Sequence, residues 1–174
     1  MNTSALVNSV LRFVLLLLLQ IFIFNQVRWG WGGRDVLFVF VYPLFVALLP
    51  MRMPRPAVIV LAFLLGLSVD FFSESVGVHA GALTFTAYVR PFILRLIQPR
   101  DGYNIKAYPS INDMGAGWML RYLALILLAH LLMFFLLHYF SIYFLSDILV
   151  NTLLSLPASL VVTFAIVLIF NPKA

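Results

Sequence analysis

The chain has no cysteine, so disulfide bonds, thiolate nucleophiles and zinc–thiolate sites are excluded. Charge is also scarce, because Asp, Glu, Lys and Arg make up only 10% of the 174 residues. A soluble domain carries roughly 25%. Hydrophobic residues make up 64% of the chain, which leaves too few polar side chains to cover the surface of a water-soluble fold. The composition therefore predicts an integral membrane protein.

Six apolar stretches approach the length of a transmembrane helix, which needs about 20 residues. The predicted helices cover about residues 6–27, 36–50, 57–73, 77–98, 118–140 and 148–170. No small-residue cleavage site follows the first stretch, so we interpret it as a retained helix and not as a signal peptide. The second stretch is short and contains Pro43, which predicts a kink or a tilt. The predicted fold class is an all-α membrane protein, a single domain over residues 1–174 in one bundle of six transmembrane helices.

The basic residues indicate an orientation, because short cytoplasmic loops hold an excess of Lys and Arg. With six spans and an internal N-terminus, nine of the 11 basic residues fall on the inner side. These nine are Arg12, Arg52, Arg55, Arg90, Arg95, Arg100, Lys106, Arg121 and Lys173. Arg28 and Arg34 fall on the outer side. We therefore expect both termini, and the longer loop over residues 99–117, to lie in the cytoplasm.

Small and polar residues recur four apart on three of the predicted helices, a pattern that marks close helix contacts in lipid. The predicted seams are Ala62, Gly66 and Asp70 on the third helix, Gly77 and Gly81 on the fourth, and Asn151, Ser155, Ser159 and Thr163 on the sixth. We interpret them as packing seams, some of which remain open to lipid for a partner helix. A cavity lined for a small ligand is the alternative.

Ionisable side chains at membrane depth are costly and are therefore candidates for function. Asp70 lies about one helical turn from the outer end of the third predicted helix, and His79 begins the fourth at the same level. We expect His79 to be the partner of Asp70, which either caps the turn between the two helices or contacts another protein. Arg90 lies nearer the inner half, and we expect it to extend to the inner surface with Arg95.

Signatures of catalysis and of metal binding are absent from the sequence. There is no Gly-x-Ser-x-Gly elbow, no P-loop and no His-Glu-x-x-His pair. His130 and His138 share a face of the fifth helix, and with Asp70, Glu74, His79 and Asp147 they are candidates for a polar cluster near the outer surface, a mix that can bind a divalent metal. Their spacing is not that of a metal pair, so we interpret the histidines as hydrogen-bonded residues. The basic residues lie singly, whereas nucleic-acid-binding proteins cluster them on one face. We expect no enzyme activity, no cofactor, no metal and no nucleic-acid partner.

The third and fourth predicted helices carry a recognisable motif. Gly66-Leu67-Ser68-Val69-Asp70 is followed by a short turn and then by Gly77-Val78-His79-Ala80. A Gly-Leu-x-x-Asp helix end, a turn and a Gly-x-His-Ala helix start resemble the rod shape-determining protein MreD family. The size of the chain, the number of predicted helices, and the proline-containing second helix that ends near Pro50 also resemble that family.

The resemblance implies a non-enzymatic membrane subunit of the machinery that elongates the bacterial cell wall, in the cytoplasmic (inner) membrane. Such a subunit binds the membrane helix of MreC, a single-span protein, and helps to couple the MreB filament to the peptidoglycan synthases and to cell shape. The family pattern carries over to Gly66, Asp70, Gly77 and His79, and Gly81 is added from the seam on the fourth helix.

Two other classes remain as hypotheses. The substrate-capture subunits of vitamin-type transporters have a similar size and hydropathy, and we expect their fold to be related to that of MreD. They usually present small residues four apart on the first helix to their coupling partner, whereas residues 13–24 contain neither Ala nor Gly. A membrane-embedded transferase would need clustered acidic and basic residues at one level, and here these residues are spread along the chain.

Overall fold

The computed structural model describes residues 3–31, 34–51, 53–73, 75–100, 102–103 and 109–170. Within these residues there are seven α-helices and one two-stranded antiparallel sheet. In chain order they are α1 (Thr3–Phe22), β1 (Arg28–Trp31), β2 (Arg34–Phe38), α2 (Pro43–Leu48), α3 (Arg55–Ser73), α4 (Val78–Leu96), α5 (Ile111–Met114), α6 (Ala116–Tyr139) and α7 (Leu145–Phe170). Arg52, Glu74, Lys106 and Lys173, on which parts of the orientation and polar-cluster predictions depend, lie outside the described residues.

Four stretches of the described chain are helical, long and apolar enough to cross a membrane: Ser9–Gln26, Arg55–Ser73, Ala116–Tyr139 and Leu145–Phe170. Their outward faces carry large apolar side chains, such as Phe71 on α3 and Val161 on α7, which are 82% and 70% exposed. A water-soluble protein rarely exposes so much apolar surface. The structure thus supports the prediction of a helical membrane protein. The helix α4 has 19 residues as well, but its arginines and threonines make it less apolar.

The long helices pack as two hairpins side by side. The helix α3 packs against α4, α4 packs against α6, and α6 packs against α7, while α1 lies against α3. At one end of the bundle, which we call the Ser73 end, the Asn25 side chain donates to the Ser73 hydroxyl at 2.7 Å. At the opposite end, which we call the Trp118 end, the indole N–H of Trp118 donates to the carbonyl of Ile97 at 3.0 Å.

Residues 36–50 do not form the second predicted helix. The strand β2 continues to Phe38, residues 39–42 are not helical, and α2 begins only at Pro43. Proline has no backbone N–H, so it is tolerated in the first turn of a helix and not in its interior. The prediction of a helix over 36–50 is therefore wrong, and the count of six transmembrane helices is not confirmed.

Two further details differ from the predictions. The chain after the first helix contains the two paired strands β1 and β2, in which Arg28 pairs with Phe38 and a bulge separates Trp29 from Gly30. The fold is therefore not entirely α-helical. The predicted loop over 99–117 contains the short helix α5 and the start of α6, and residues 101 and 104–108 of it lie outside the described residues.

The segment over residues 39–49, which we call the core segment, is buried along its whole length. Its helical part, α2, contacts α1, α3, α4 and α6. Backbone that is not helical is tolerated at membrane depth only where it is buried in protein or lines a water-filled cavity. The surrounding helices provide that burial, and the core segment in turn fills the centre of the bundle.

Candidate functional site

The motif on α3 and α4 forms a close contact between two helix backbones. A Cβ atom placed on Gly66 would lie 2.5 Å from the Cα of Ala80 and 2.7 Å from the carbonyl oxygen of His79. Such distances are too short for any side chain, so only glycine allows α3 to approach α4 this closely. Ala62, two turns from Asp70 on the same face, is also fully buried. The predicted seam on α3 is therefore an internal contact of the bundle.

Asp70 caps the start of α4. One carboxylate oxygen, Oδ1, accepts hydrogen bonds from the backbone N–H of His79 at 3.0 Å and from the Ser75 hydroxyl at 2.6 Å. The other, Oδ2, accepts from the backbone N–H of Ala80 at 2.8 Å. The first N–H groups of a helix have no intrahelical partner, and negative charge is stabilising there. Asp70 thus bonds to His79 as predicted, but through the backbone of His79 and not through its imidazole.

Gly77 and Gly81 do not form one seam. Gly77 precedes α4 in the left-handed conformation, with φ of 77°, and a Cβ there would meet nothing within 4 Å. This conformation, which residues with a side chain rarely adopt, explains why position 77 is a glycine. A Cβ on Gly81 would lie 2.8 Å from the Leu137 side chain of α6. Gly81 therefore belongs to the contact between α4 and α6.

The polar stripe on α7 is buried and comprises Asn151, Ser155, Ser159 and Thr163. The hydroxyl of Ser155 accepts a hydrogen bond from the backbone N–H of Phe38, and that of Ser159 accepts from the N–H of Phe40, both at 3.0 Å. These hydroxyls bond to the backbone at the last residue of β2 and two residues beyond it. The two serines were predicted to mediate helix packing. Both bond to backbone at or just after the end of β2, which has no water to pair with inside a bilayer.

The side chain of Gln20 on α1 binds the core segment from the other side. Its Oε1 accepts from the backbone N–H of Val41 at 2.8 Å, and its Nε2 donates to the carbonyl of Val39 at 3.2 Å. Sequence reasoning missed this residue. The available signal was its position as the single polar residue between Phe13 and Phe24.

Tyr42 connects two buried histidines. Its hydroxyl lies 2.9 Å from Nδ1 of His79 and 2.7 Å from Nε2 of His130, whose Nδ1 lies 3.0 Å from the Thr86 hydroxyl. Because Thr86 donates its one proton to the carbonyl of Ala82, it accepts from Nδ1–H of His130. Tyr42 then donates to His130 and accepts from Nδ1–H of His79. The chain of hydrogen bonds is continuous, as expected of a structural polar network.

Arg90 does not extend to the membrane surface as predicted. Its side chain is buried, and its Nε donates to the Tyr122 hydroxyl at 3.0 Å. Its terminal nitrogens donate to the carbonyls of Leu49 and Pro50. Tyr122 in turn donates to the carbonyl of Ala47 at 3.0 Å. The last carbonyls of a helix lack intrahelical partners, and the end of α2 lies inside the bundle, so Arg90 and Tyr122 satisfy them.

The outer wall of the bundle contains an apolar groove of about 490 Å³, which we call the α4–α6–α7 groove. It is lined by Phe85, Val89, Ile93, Leu125, Leu128, Ala129, Leu132, Met133, Leu136, Leu145, Ile148 and Leu149. From Leu125 to Leu136 it follows α6 for roughly 16 Å, at 1.5 Å per residue. That length is about half of the hydrocarbon core of a bilayer. Every lining side chain is apolar, so the surface of the groove suits lipid chains or a hydrophobic helix.

The predicted polar cluster does not form among those of its members that the structure describes. His138 is exposed, and its ring stacks on that of Phe134 with the centroids 5.7 Å apart. Within the described part of the chain, no three His, Asp or Glu side chains come together as a metal site would require. What the structure brings together instead are donors and acceptors around the core segment.

No family model, no curated protein and no solved structure matches this chain. The resemblance of residues 66–80 to the MreD family therefore rests on the sequence motif alone.

Proposed function

We propose that this protein is a non-enzymatic membrane subunit that binds the transmembrane helix of a partner in the α4–α6–α7 groove. The observation that carries the proposal is the groove itself, which is wholly apolar and faces outward. Apolar helices associate in lipid by close packing against a complementary surface. The predicted seams at Gly66, Gly81 and Ser159 are filled by the chain's own elements, so a partner helix would not bind there.

The partner that the motif favours is an MreC-like single-span membrane protein. This protein would then be a scaffold of the bacterial rod complex, and would help to couple the MreB filament to peptidoglycan synthesis and cell shape. Within that role, Gly66, Asp70 and Gly77 set the geometry of α3 and α4. They support the groove indirectly, because α4 supplies one of its walls.

The transporter-like alternative requires space for a vitamin-sized ligand within the bundle. The core segment occupies the centre, and the side chains of Leu44, Val46 and Ala47 are at most 1% exposed. This packing favours the partner-binding role over the capture of a small molecule.

We further propose that the chain lies in the bacterial inner membrane with both termini in the cytoplasm. The core segment follows Phe38, which bonds to Ser155 of α7, and precedes Pro50, which bonds to Arg90 of α4. Non-helical backbone rises about 3.3 Å per residue and a helix only 1.5 Å, so this short segment covers more of the bilayer than a helix of equal length.

A periplasm-dependent reporter fused after Ala174 should be inactive, and one inserted near Ser75 should be active. The opposite pattern would contradict this orientation.

The proposal that the α4–α6–α7 groove binds a partner helix is tested by placing a larger side chain in the groove. Leu132→Trp places an indole in the groove, where Leu132 is 37% exposed, and should reduce co-purification of an MreC-like partner by about tenfold. The matched control is Leu153→Trp on the exposed face of α7, which lies outside the groove and should retain the partner. Both variants should be produced at the level of the unchanged protein.

Two results would count against the proposal. If Leu132→Trp and Leu153→Trp retain the partner equally, the binding surface lies outside the groove. If no single-span protein co-purifies with the unchanged chain while a vitamin-sized ligand does, the transporter-like function replaces the one proposed here.

A further inference from the structure

A second cavity, of about 270 Å³, opens at the Trp118 end of the bundle between the start of α3 and the last turns of α4. Its polar lining consists of Arg55, Arg90, Arg95 and Gln98, with Tyr103 beside them. Its apolar lining includes Met51, Val58 and Leu94. We call it the basic cavity. It is separate from the α4–α6–α7 groove, with which it shares no lining residue.

The described lining of the basic cavity carries positive charge without compensation. Three guanidinium groups are among these lining residues and no carboxylate is. Arg90 is buried, and its bonds to Tyr122, Leu49 and Pro50 use three N–H groups. A guanidinium has five, so the structural role of Arg90 leaves donors for a ligand.

The position of the arginines suits a group at the membrane interface. Arg55 is the first residue of α3 and Arg95 lies in the last turn of α4. Arg90 lies roughly 9 Å deeper along α4, at 1.5 Å per residue from Leu96. An anion held between them would sit at the level of phospholipid headgroups, with the apolar lining extending toward the hydrocarbon.

We propose that the basic cavity binds the phosphate of an anionic phospholipid, with the start of an acyl chain against Met51, Val58 and Leu94. Arginine matches the geometry of phosphate oxygens with paired N–H donors. Basic pockets between transmembrane helices bind anionic headgroups for the same reason. The apolar lining favours a lipid over free phosphate, since a free anion has nothing to contact there.

The test uses the full-length protein, purified and stripped of lipid in a neutral detergent. Binding of short-chain phosphatidylglycerol, short-chain phosphatidylcholine and inorganic phosphate is titrated by the shift in thermal unfolding. The double variant Arg55→Gln/Arg95→Gln removes two exposed charges and leaves Arg90 in place. Phosphatidylglycerol should bind this variant about 30-fold more weakly than the unchanged protein. Arg121→Gln, at an exposed arginine of α6 outside the cavity, is the control and should bind normally.

The outcomes separate the possible ligands. Tight binding of phosphatidylglycerol that the double variant loses and the control keeps supports the proposal. Equal effects of phosphatidylcholine and phosphatidylglycerol would show that charge is not recognised, and equal affinity for inorganic phosphate would show an anion site and not a lipid site. If the double variant unfolds without lipid, Arg95→Gln alone is titrated, and unchanged affinity in that variant overturns the proposal.

Discussion

The α3–α4 contact and the core segment face the same requirement, that no backbone polar group remain unpaired in lipid, and they meet it differently. At the start of α4 the free N–H groups are consecutive, and Asp70 alone accepts from two of them. Along the core segment the groups lie far apart in space. They are bonded by side chains from four helices: Gln20 of α1, Ser155 and Ser159 of α7, Arg90 of α4 and Tyr122 of α6.

This difference has a consequence for stability. Asp70 satisfies three groups, so its loss should be severe. Around the core segment each side chain satisfies only one or two backbone groups, so every single loss should be smaller. Substitutions at the α3–α4 contact and around the core segment can therefore be ranked in advance. The ranking is independent of the proposed partner, because it concerns only the folding of the bundle.

The largest effect is expected for Gly66→Ala. The new methyl group would lie 2.5 Å from the Cα of Ala80, so α3 and α4 must separate. Overpacking costs about 1–3 kcal/mol and occasionally more, and we expect at least about 3 kcal/mol here because the obstacle is backbone. Thermal and denaturant unfolding in detergent measures the loss. Gly117→Ala on α6 is the matched control, since its Cβ would meet nothing within 4 Å. Equal stability of the two variants would show that the helices are not in contact at Gly66.

The second effect in size is expected for Asp70→Leu. It leaves the N–H groups of His79 and Ala80 and the hydroxyl of Ser75 without their acceptor. An unpaired buried group costs about 1–3 kcal/mol, so a loss of about 3 kcal/mol is expected. Asp70→Asn keeps one acceptor oxygen and should lose roughly half as much. If Leu and Asn are equally harmless, the capping role assigned to Asp70 is wrong.

The same contrast explains what the sequence could and could not predict. The positions of the long helices follow from apolar length, and the contact at Gly66 and Asp70 follows from residues close together in sequence. The non-helical backbone of the core segment could not be predicted, because residues 36–50 are as apolar as a transmembrane helix. Only Pro43 indicates that a helix does not extend through them. Its hydrogen-bond partners are single polar residues on distant helices. Their role as hydrogen-bond partners can be identified only when the fold shows that they lie beside the same stretch of backbone.

Arg90 shows the same limit. An arginine nearer the inner half of an apolar helix, away from the level of Asp70, suggested a side chain extended to the membrane surface. Its actual partners are carbonyl oxygens at Leu49 and Pro50, which every residue possesses. Hydrogen bonds to backbone carbonyls leave no trace in composition or in spacing.

The third effect in size is expected for Tyr42→Phe. It removes the hydroxyl that bonds both His79 and His130 and leaves two buried imidazole nitrogens without that partner. We expect a loss of about 2 kcal/mol in the free energy of unfolding. Tyr88→Phe on the exposed face of α4, where Tyr88 is 59% exposed, is the control and should change stability little. A loss as large as that of Asp70→Leu would show that this network, and not the α3–α4 contact, dominates the stability of the bundle.

The smallest losses of stability are expected for the serines of α7, with Ser159→Ala costing more than Ser155→Ala. Ser159→Ala leaves one fully buried N–H, that of Phe40, without an acceptor and should cost about 1–2 kcal/mol. Ser155→Ala should cost less, because its partner, Phe38, lies at the end of β2 and is only partly buried.

Ser68→Ala on α3 is the control for both serines. It removes only a hydrogen bond to the carbonyl of Leu64 in the same helix, so its cost should be near zero. Combining Ser155→Ala with Ser159→Ala should give about the sum of the two losses, because each serine bonds a different backbone group. A combined loss that exceeds the sum would show that the core segment detaches from α7 as a unit. In that case the hydrogen bonds around the core segment are cooperative, like those of Asp70. The two regions would then differ only in whether the bonding side chains come from one residue or from several helices.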